Sequence, residues 1–281
     1  MTSITSPRPL SLQFFSSLAA VAGLGFTAQT VQATTVDLGT ASSFAILAGS
    51  AVTFTGPMNT VVGDVGVWPG TSITGAPANL SLTGAIHNND AVAQQAQSDV
   101  TTAYGAAAGA ATTTVLNTTN NQLGGLTLVS GVYQFGHGDI ANLVGTLTLD
   151  GQGAADALFI FQATSDFITA SGSSISLING ADACNVFWQV SSSATLGSSS
   201  HFEGVILALT SITLDSGVAV NGHLFARNGL VSLINDTVIS ETCQPAEISA
   251  AGVPDGGSAL LLLASGLMGL MGVRRAFGFR A

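Results

Sequence analysis

From residue 157 to residue 240 the chain repeats a short unit, and that repetition restricts the fold more than any other feature. Residues 157–184 read "ALFIFQATSDFITASGSSISLINGADAC", 185–204 "NVFWQVSSSATLGSSSHFEG", 205–222 "VILALTSITLDSGVAVNG" and 223–240 "HLFARNGLVSLINDTVIS". Residues 131–156 make a looser copy. Each unit holds three short strands separated by Gly, Ser, Asn or Asp. A unit this small cannot bury its own apolar residues, so copies must stack. The expected fold is mainly β: a three-sided, right-handed parallel β-solenoid with one coil per unit.

The three sides differ. The first strands ("LFIF", "VFWQV", "VILA", "LFA") are apolar throughout, as in strands buried on both faces, so something must cover them. The candidate is a long helix at about 89–111, within "NNDAVAQQAQSDVTTAYGAAAGAATT". Asn89 or Asp90 can cap it, and its Ala-rich side allows close approach to a sheet. The second strands alternate, with one face buried and one open. Their outward residues are read as Thr53 and Thr55, Ser72 and Thr74, Thr169 and Ser171, Thr195 and Gly197, Thr213 and Asp215, and Ser232 and Ile234. The third strands turn out a rougher set: Thr146 and Thr148, Ser174 and Ser176, His201 and Glu203, Ala219 and Asn221.

Only 7% of the chain is charged and it has no lysine. Between residues 34 and 252 fourteen acids face a single base, Arg227. Such a region cannot neutralise phosphates, which excludes nucleic acid and anionic lipid as partners of the solenoid. The exterior must be covered by small neutral side chains.

Both ends read as addresses. Residues 1–33 have a basic residue at Arg8, an apolar stretch from Leu10 to Phe26 and a small-x-small site at Val31-Gln32-Ala33. That is the pattern of a secretory signal peptide; a membrane anchor is the alternative. Cleavage would leave Thr34 first, with the solenoid domain at 34–250. Residues 251–281 carry Val253-Pro254-Asp255-Gly256-Gly257, an apolar helix at 258–273 and a basic tail beginning at Arg274 and Arg275. This resembles the PEP-CTERM class of bacterial sorting tails in its Val-Pro-Asp variant. The resemblance implies export from an envelope-carrying bacterium and transient membrane contact through the apolar helix. A cut by a transpeptidase-like sorting enzyme then leaves the protein secreted or on the cell surface. A permanent anchor is again the alternative.

The segments "DLGTASSFAILAGSAVTFTG", "GDVGVWPGTSITG", "GTLTLDGQG", "FIFQ", "NVFWQV" and "ATLGSSSHFEGVILA" resemble the microbial ice-binding proteins with a discontinuous β-solenoid fold. The resemblance runs from about Val36 to Ser240. It implies that the N-terminal coils stack beside the C-terminal ones, with the helix lying between them in sequence. It also implies that a flat face binds the surface of an ice crystal. Outward residues on the second strands would sit about 6.8 Å apart along a strand and 4.8 Å between strands, as a grid of hydroxyls and stiff β-branched methyls. The expected ice-binding residues are Thr53, Thr55, Ser72, Thr74, Thr169, Ser171, Thr195, Thr213 and Ser232. Asp215, Ile234 and Gly197 interrupt the grid, and the third face is the runner-up. A surface adhesin or matrix component on the same scaffold is the alternative function.

No enzymatic constellation assembles. His87, His137, His201 and His223 fall in separate coils or loops without partners at metal-ligand spacing, so neither metal nor cofactor is expected. Asp64, Asp139, Asp150, Asp156, Asp166 and Asp182 mostly sit at turns, where Asp bonds its own backbone. Cys184 and Cys243 are the only cysteines, and in an exported chain they invite a disulfide. Three rungs would separate them by about 14 Å, beyond the ~7 Å a bridge spans. Pairing therefore needs the tail after Ser240 to fold back or the 179–184 loop to bulge along the stack.

Overall fold

The computed structural model describes residues 36–136 and 140–240. The strands form parallel pairs in a fifteen-stranded and a seven-stranded sheet. The larger sheet covers two sides of a solenoid, because the strands His201–Ala208 and Ala219–Ala226 run around one corner and belong to both. Glycine makes that passage possible. Gly204 and Gly222 are stacked with φ of +108° and +144°. A Cβ on Gly222 would lie 2.0 Å from the Gly204 carbonyl oxygen, and L-residues with a side chain rarely adopt such a φ.

The stack is out of sequence order. The N-terminal strand Phe44–Ala48 pairs with Ala219–Ala226, Ala51–Thr55 with Leu230–Ile234, and Asn59–Val62 with Thr237–Ile239. The first coil therefore sits on the last. Inside the solenoid each position repeats from rung to rung. Tyr133, Phe161 and Trp188 are in register and stacked, with ring centroids 5.4 and 4.0 Å apart, and Ile206, Leu224 and Ile46 continue the column.

The helix-covered side is apolar outward too. Val132, Ile160, Phe187 and Val205 form one buried column, with Leu207, Phe225, Leu47 and Phe44 nearby. Onto it packs one helix, Ala91–Gly109, through Ala93, Ala96, Val100, Ala103 and Ala107. These positions recur every three or four residues, as one face of a helix requires. Asp90 caps it, its Oδ1 accepting the Ala93 N–H at 2.9 Å. Gln162 Nε2 donates to the carbonyls of Ala107 and Ala110, both at 2.9 Å, which supplies partners the helix end lacks. Gly105 and Gly109 face open space and do not shorten it.

Among the described residues no helix is long and apolar enough to cross a membrane. The segment 1–33 expected to be a signal peptide, His137, Asp139, Cys243, the Val253–Gly256 motif and the apolar stretch 258–273 lie outside the described residues.

Candidate ice-contacting face

The seven-stranded sheet is the second side. Its order is Ala141–Leu143, Phe167–Thr169, Ala194–Leu196, Ile212–Leu214, Leu230–Ile234, Ala51–Thr55 and Ser72–Thr74. Register fixes which residues share a column. Ala194, Ile212, Val231 and Val52 point inward, as do Leu196, Leu214, Leu233 and Phe54. Between them the outward column reads Asn142, Ile168, Thr195, Thr213, Ser232, Thr53 and Thr74. Five consecutive rungs, from Thr195 to Thr74, thus present a short hydroxyl side chain in one line about 19 Å long. Thr74 donates to Thr53 through their hydroxyls at 3.2 Å, and Thr55 Oγ1 donates to the Leu233 carbonyl at 3.0 Å. Ser72 and Thr55 are exposed at the flanks.

Two predicted members lie outside this column. Thr169 points inward and is 3% exposed. Phe167 pairs with Ala194 and takes an interior site, so Thr169, two residues on, is interior as well, and Ile168 faces out instead. The Thr169 hydroxyl is satisfied there by the Gly197 N–H at 3.0 Å. Ser171 is exposed but lies beyond the strand Phe167–Thr169, outside the column. Gly197 is buried, and a Cβ on it would meet the Thr169 carbonyl oxygen and the Ala170 carbonyl carbon at 2.6 Å.

Asn142 and Ile168 belong to the outward column although the alternation of single strands did not select them. The signal that finds Ile168 is the corner. Asp166, Ser193 and Ser211 each precede a second-side strand, and each accepts an N–H from the next rung: Asp166 Oδ1 from Ser193 at 2.9 Å, Ser193 Oγ from Ser211 at 3.4 Å, Ser211 Oγ from Leu230 at 3.2 Å. Aligning "DFIT", "SATL" and "SITL" on that polar corner residue places Ile168 beside Thr195.

At the opposite edge of the face Asp215 is half-buried. Its charge is felt by Asp236 on the next corner. Burial foremost holds the Asp236 carboxyl above the ordinary aspartate range, and Asp215 adds to this, against N–H bonds from Ile234, Val218 and Gly217.

The remaining polar residues are used locally. His87 Nδ1 pairs with Asp90 Oδ2 at 2.9 Å, and the Ala93 N–H and His87 together hold the Asp90 carboxyl low. His223 is buried with Nδ1 2.6 Å from the Phe44 carbonyl oxygen, and burial lowers its basicity. Arg227 lies over the Tyr104 ring at 4.7 Å. Among the described residues no three His, Cys, Asp or Glu side chains are placed to share a metal ion. Cys184 is disulfide-bonded. It lies in the turn Ala183–Asn185, which reaches along the stack to the strands His201–Ala208 and Ala219–Ala226.

Comparison with known proteins agrees with this architecture. An ice-binding-like family model matches residues 46–239, and a VPDSG-CTERM motif matches residues 252–277. An ice-binding protein from Nostoc is 46% identical over 264 residues, covering 94% of this chain and 93% of its own. The crystal structure of an ice-binding protein from the Antarctic ascomycete Antarctomyces psychrotrophicus superposes with a TM-score of 0.69. It is 43% identical and covers 73% of this chain and 98% of its own. An ice-binding protein from an Antarctic biological consortium gives a TM-score of 0.70 at 41% identity, over 75% and 93% of the two chains. With more than half of its length inside the family model and full-length relatives of this identity, the chain belongs to the ice-binding-like family and carries a C-terminal sorting motif.

Proposed function

We propose that this protein is exported, adsorbs to ice through the second side of its solenoid, and so restrains ice growth or recrystallisation near the cell, without catalysis. The contact residues are Thr195, Thr213, Ser232, Thr53 and Thr74, flanked by Thr55 and Ser72. The observation that carries this reading is the unbroken line of five short hydroxyl side chains across five rungs. β-branched Thr is stiff at χ1, and rungs about 4.8 Å apart repeat like a lattice. Water ordered over such a line can merge with ice at little further cost in side-chain entropy. The adhesin alternative finds no support in the relatives, which are themselves described as ice-binding proteins.

Residues 1–33 serve as the export signal and the Val253–Gly256 motif addresses the chain to sorting machinery, with the apolar stretch 258–273 in transient membrane contact. Cys184 pairs with Cys243, the only other cysteine; the unreduced protein should yield a linked peptide by mass spectrometry. The test of function is thermal hysteresis and recrystallisation inhibition by the well-folded exported chain. Measurable activity at micromolar concentration is expected. No effect on ice at high concentration would remove the reading.

A further inference from the structure

The second side is built from two stretches of chain that no short connection joins. Thr195, Thr213 and Ser232 lie on successive coils, each leading into the next through a corner of a few residues. Thr53 and Thr74 lie on coils that begin near the N-terminus. Within either stretch the short corners fix how strands pair. At the joint between Leu230–Ile234 and Ala51–Thr55 nothing covalent does so. A slip of two residues there would keep apolar residues inward, since side chains alternate with period two. It would also shift Thr53 and Thr74 out of line with Ser232.

The corner beyond the joint holds two buried polar residues where other rungs carry Val218, Ser200 and Ser173. Asp236 is 1% exposed and Asn59 is fully buried. They are opposite each other, because Thr237 pairs with Thr60. Asn59 Oδ1 accepts the Asp236 N–H at 3.0 Å, and its Nδ2 donates to the carbonyls of Thr55 and Asn79, both at 2.9 Å. Asp236 Oδ1 accepts the Val218 N–H at 2.8 Å and Oδ2 the Ile234 N–H at 2.6 Å. Two side chains thus tie together four rungs, from the coil of Thr213 to the coil of Thr74, across the joint. A buried amide with donors and acceptor all engaged is satisfied in one register only, and a slipped pairing would leave it unpaired at a cost.

We infer that Asn59 and Asp236 are positioning residues of the ice-contacting face: they set the register at which its two sequence-distant halves meet. The inference rests on the second side being the working face, but its test is partly independent of that. In the full chain, Thr53→Cys with Ser232→Cys should cross-link efficiently on mild oxidation. Adding Asn59→Asp, which removes both donors, should lower the yield about fivefold, and Asn59→Asp alone, with Thr53 and Ser232 in place, should lower ice activity. Val238→Ala, a core truncation on the same coil, serves as a control of comparable instability; it should leave both readouts intact at equal folded fraction. A Thr60→Cys/Thr237→Cys disulfide on the third side pins the same register by other means and should restore activity to Asn59→Asp. If Asn59→Asp fails to fold, Asn59→Ser, whose shorter side chain has one donor at most for these two carbonyls, takes its place. Unchanged cross-linking, or activity that follows folded fraction alone in both the clasp and the control variants, would overturn the inference. Lost cross-linking with unaltered ice activity would leave the register role standing and remove the second side as the working face.

Discussion

The second and third sides of the solenoid are made by the same rungs and carry similar numbers of Thr and Ser, yet they are different surfaces. The third side shows two outward columns. One runs Thr146, Ser174, His201, Ala219, Thr237, Thr60 and Ser81; the other is made of two stretches, Thr148 with Ser176, and Glu203, Asn221, Ile239, Val62 and Thr83. It is the wider face, but its middle is occupied by longer polar chains. His201 is exposed, and Asn221 Nδ2 donates to Glu203 Oε2 at 3.0 Å. The second side has one full outward column, and that column holds no long side chain in five successive rungs, although Leu230 and Ile234 are exposed beside it. Outward Thr and Ser are ordinary for half-buried strands, so their number distinguishes nothing. Continuity of short side chains does, because one mobile charged chain disturbs the water over its neighbours.

The largest effect should come from breaking that continuity. Thr213→Tyr puts a ring in the centre of the second-side line, and thermal hysteresis should fall about tenfold, as for a central contact of an interface. The thermal midpoint should barely change, since Thr213 is on the open face. Ser81→Tyr, exposed on the third side, should leave activity unaltered. The reverse pattern would move the site to the third side. Next in size is Gly197→Ala. Its Cβ would meet main-chain atoms at 2.6 Å, overpacking that costs about 1–3 kcal/mol, or several degrees in thermal midpoint by calorimetry. Adding a side chain there to extend the grid should therefore damage the face and not improve it.

Much of this was legible in the sequence, for identifiable reasons. The coils and the covering helix follow from period-two and helical spacing, and both depend on local pattern; the cap was open between Asn89 and Asp90 until the Ala93 N–H was seen on Asp90. The inward leucines of "SATL" and "SITL" gave the facing of Thr195 and Thr213 in the same way. The phase of "DFITASG" was not legible strand by strand. Phe167 and Ile168 can each serve as the interior residue, and only pairing of Phe167 with Ala194 decides it. That reversal removed Thr169 from the surface and put Ile168 on it. The Asn59–Asp236 contact was out of reach for another reason. It depends on which distant coils meet, and the two residues look like ordinary turn polars when read alone.

A smaller change should sharpen the contrast between the sides. Asp215 is the charged residue beside Thr213 at the edge of the second face. Asp215→Thr removes a hydrated carboxylate from beside the line, and ice activity should rise about twofold, a gain of a few tenths of a kcal/mol. An unchanged or lower activity in that variant would mean that ice contact stops at the central column and does not reach the edge.

The smallest expected effect is a pH dependence located at the joint. Burial raises the Asp236 carboxyl above its ordinary range, with the Asp215 charge adding to it. The folded state therefore holds that proton more tightly than the unfolded chain does. The stability this contributes is complete below the ordinary aspartate pKa and is lost as pH rises through the raised value. Asp90 and Asp99 run the other way. Asp90 is held low by the Ala93 N–H and His87. For Asp99, burial is the largest influence and acts upward, but hydrogen bonds from Thr40 and Gln95 outweigh it. Both lie near the surface and contribute little. Total stability against pH would blend these opposed trends, so the useful quantity is a difference. The thermal midpoint of the wild-type protein minus that of Asp236→Asn should decline as pH rises from below the ordinary aspartate value toward neutrality. Asp215→Thr should lessen that decline, because it withdraws the like charge. A difference that is flat with pH, or that grows, would show that the carboxylate at the joint is held by its N–H donors strongly enough to overcome its burial.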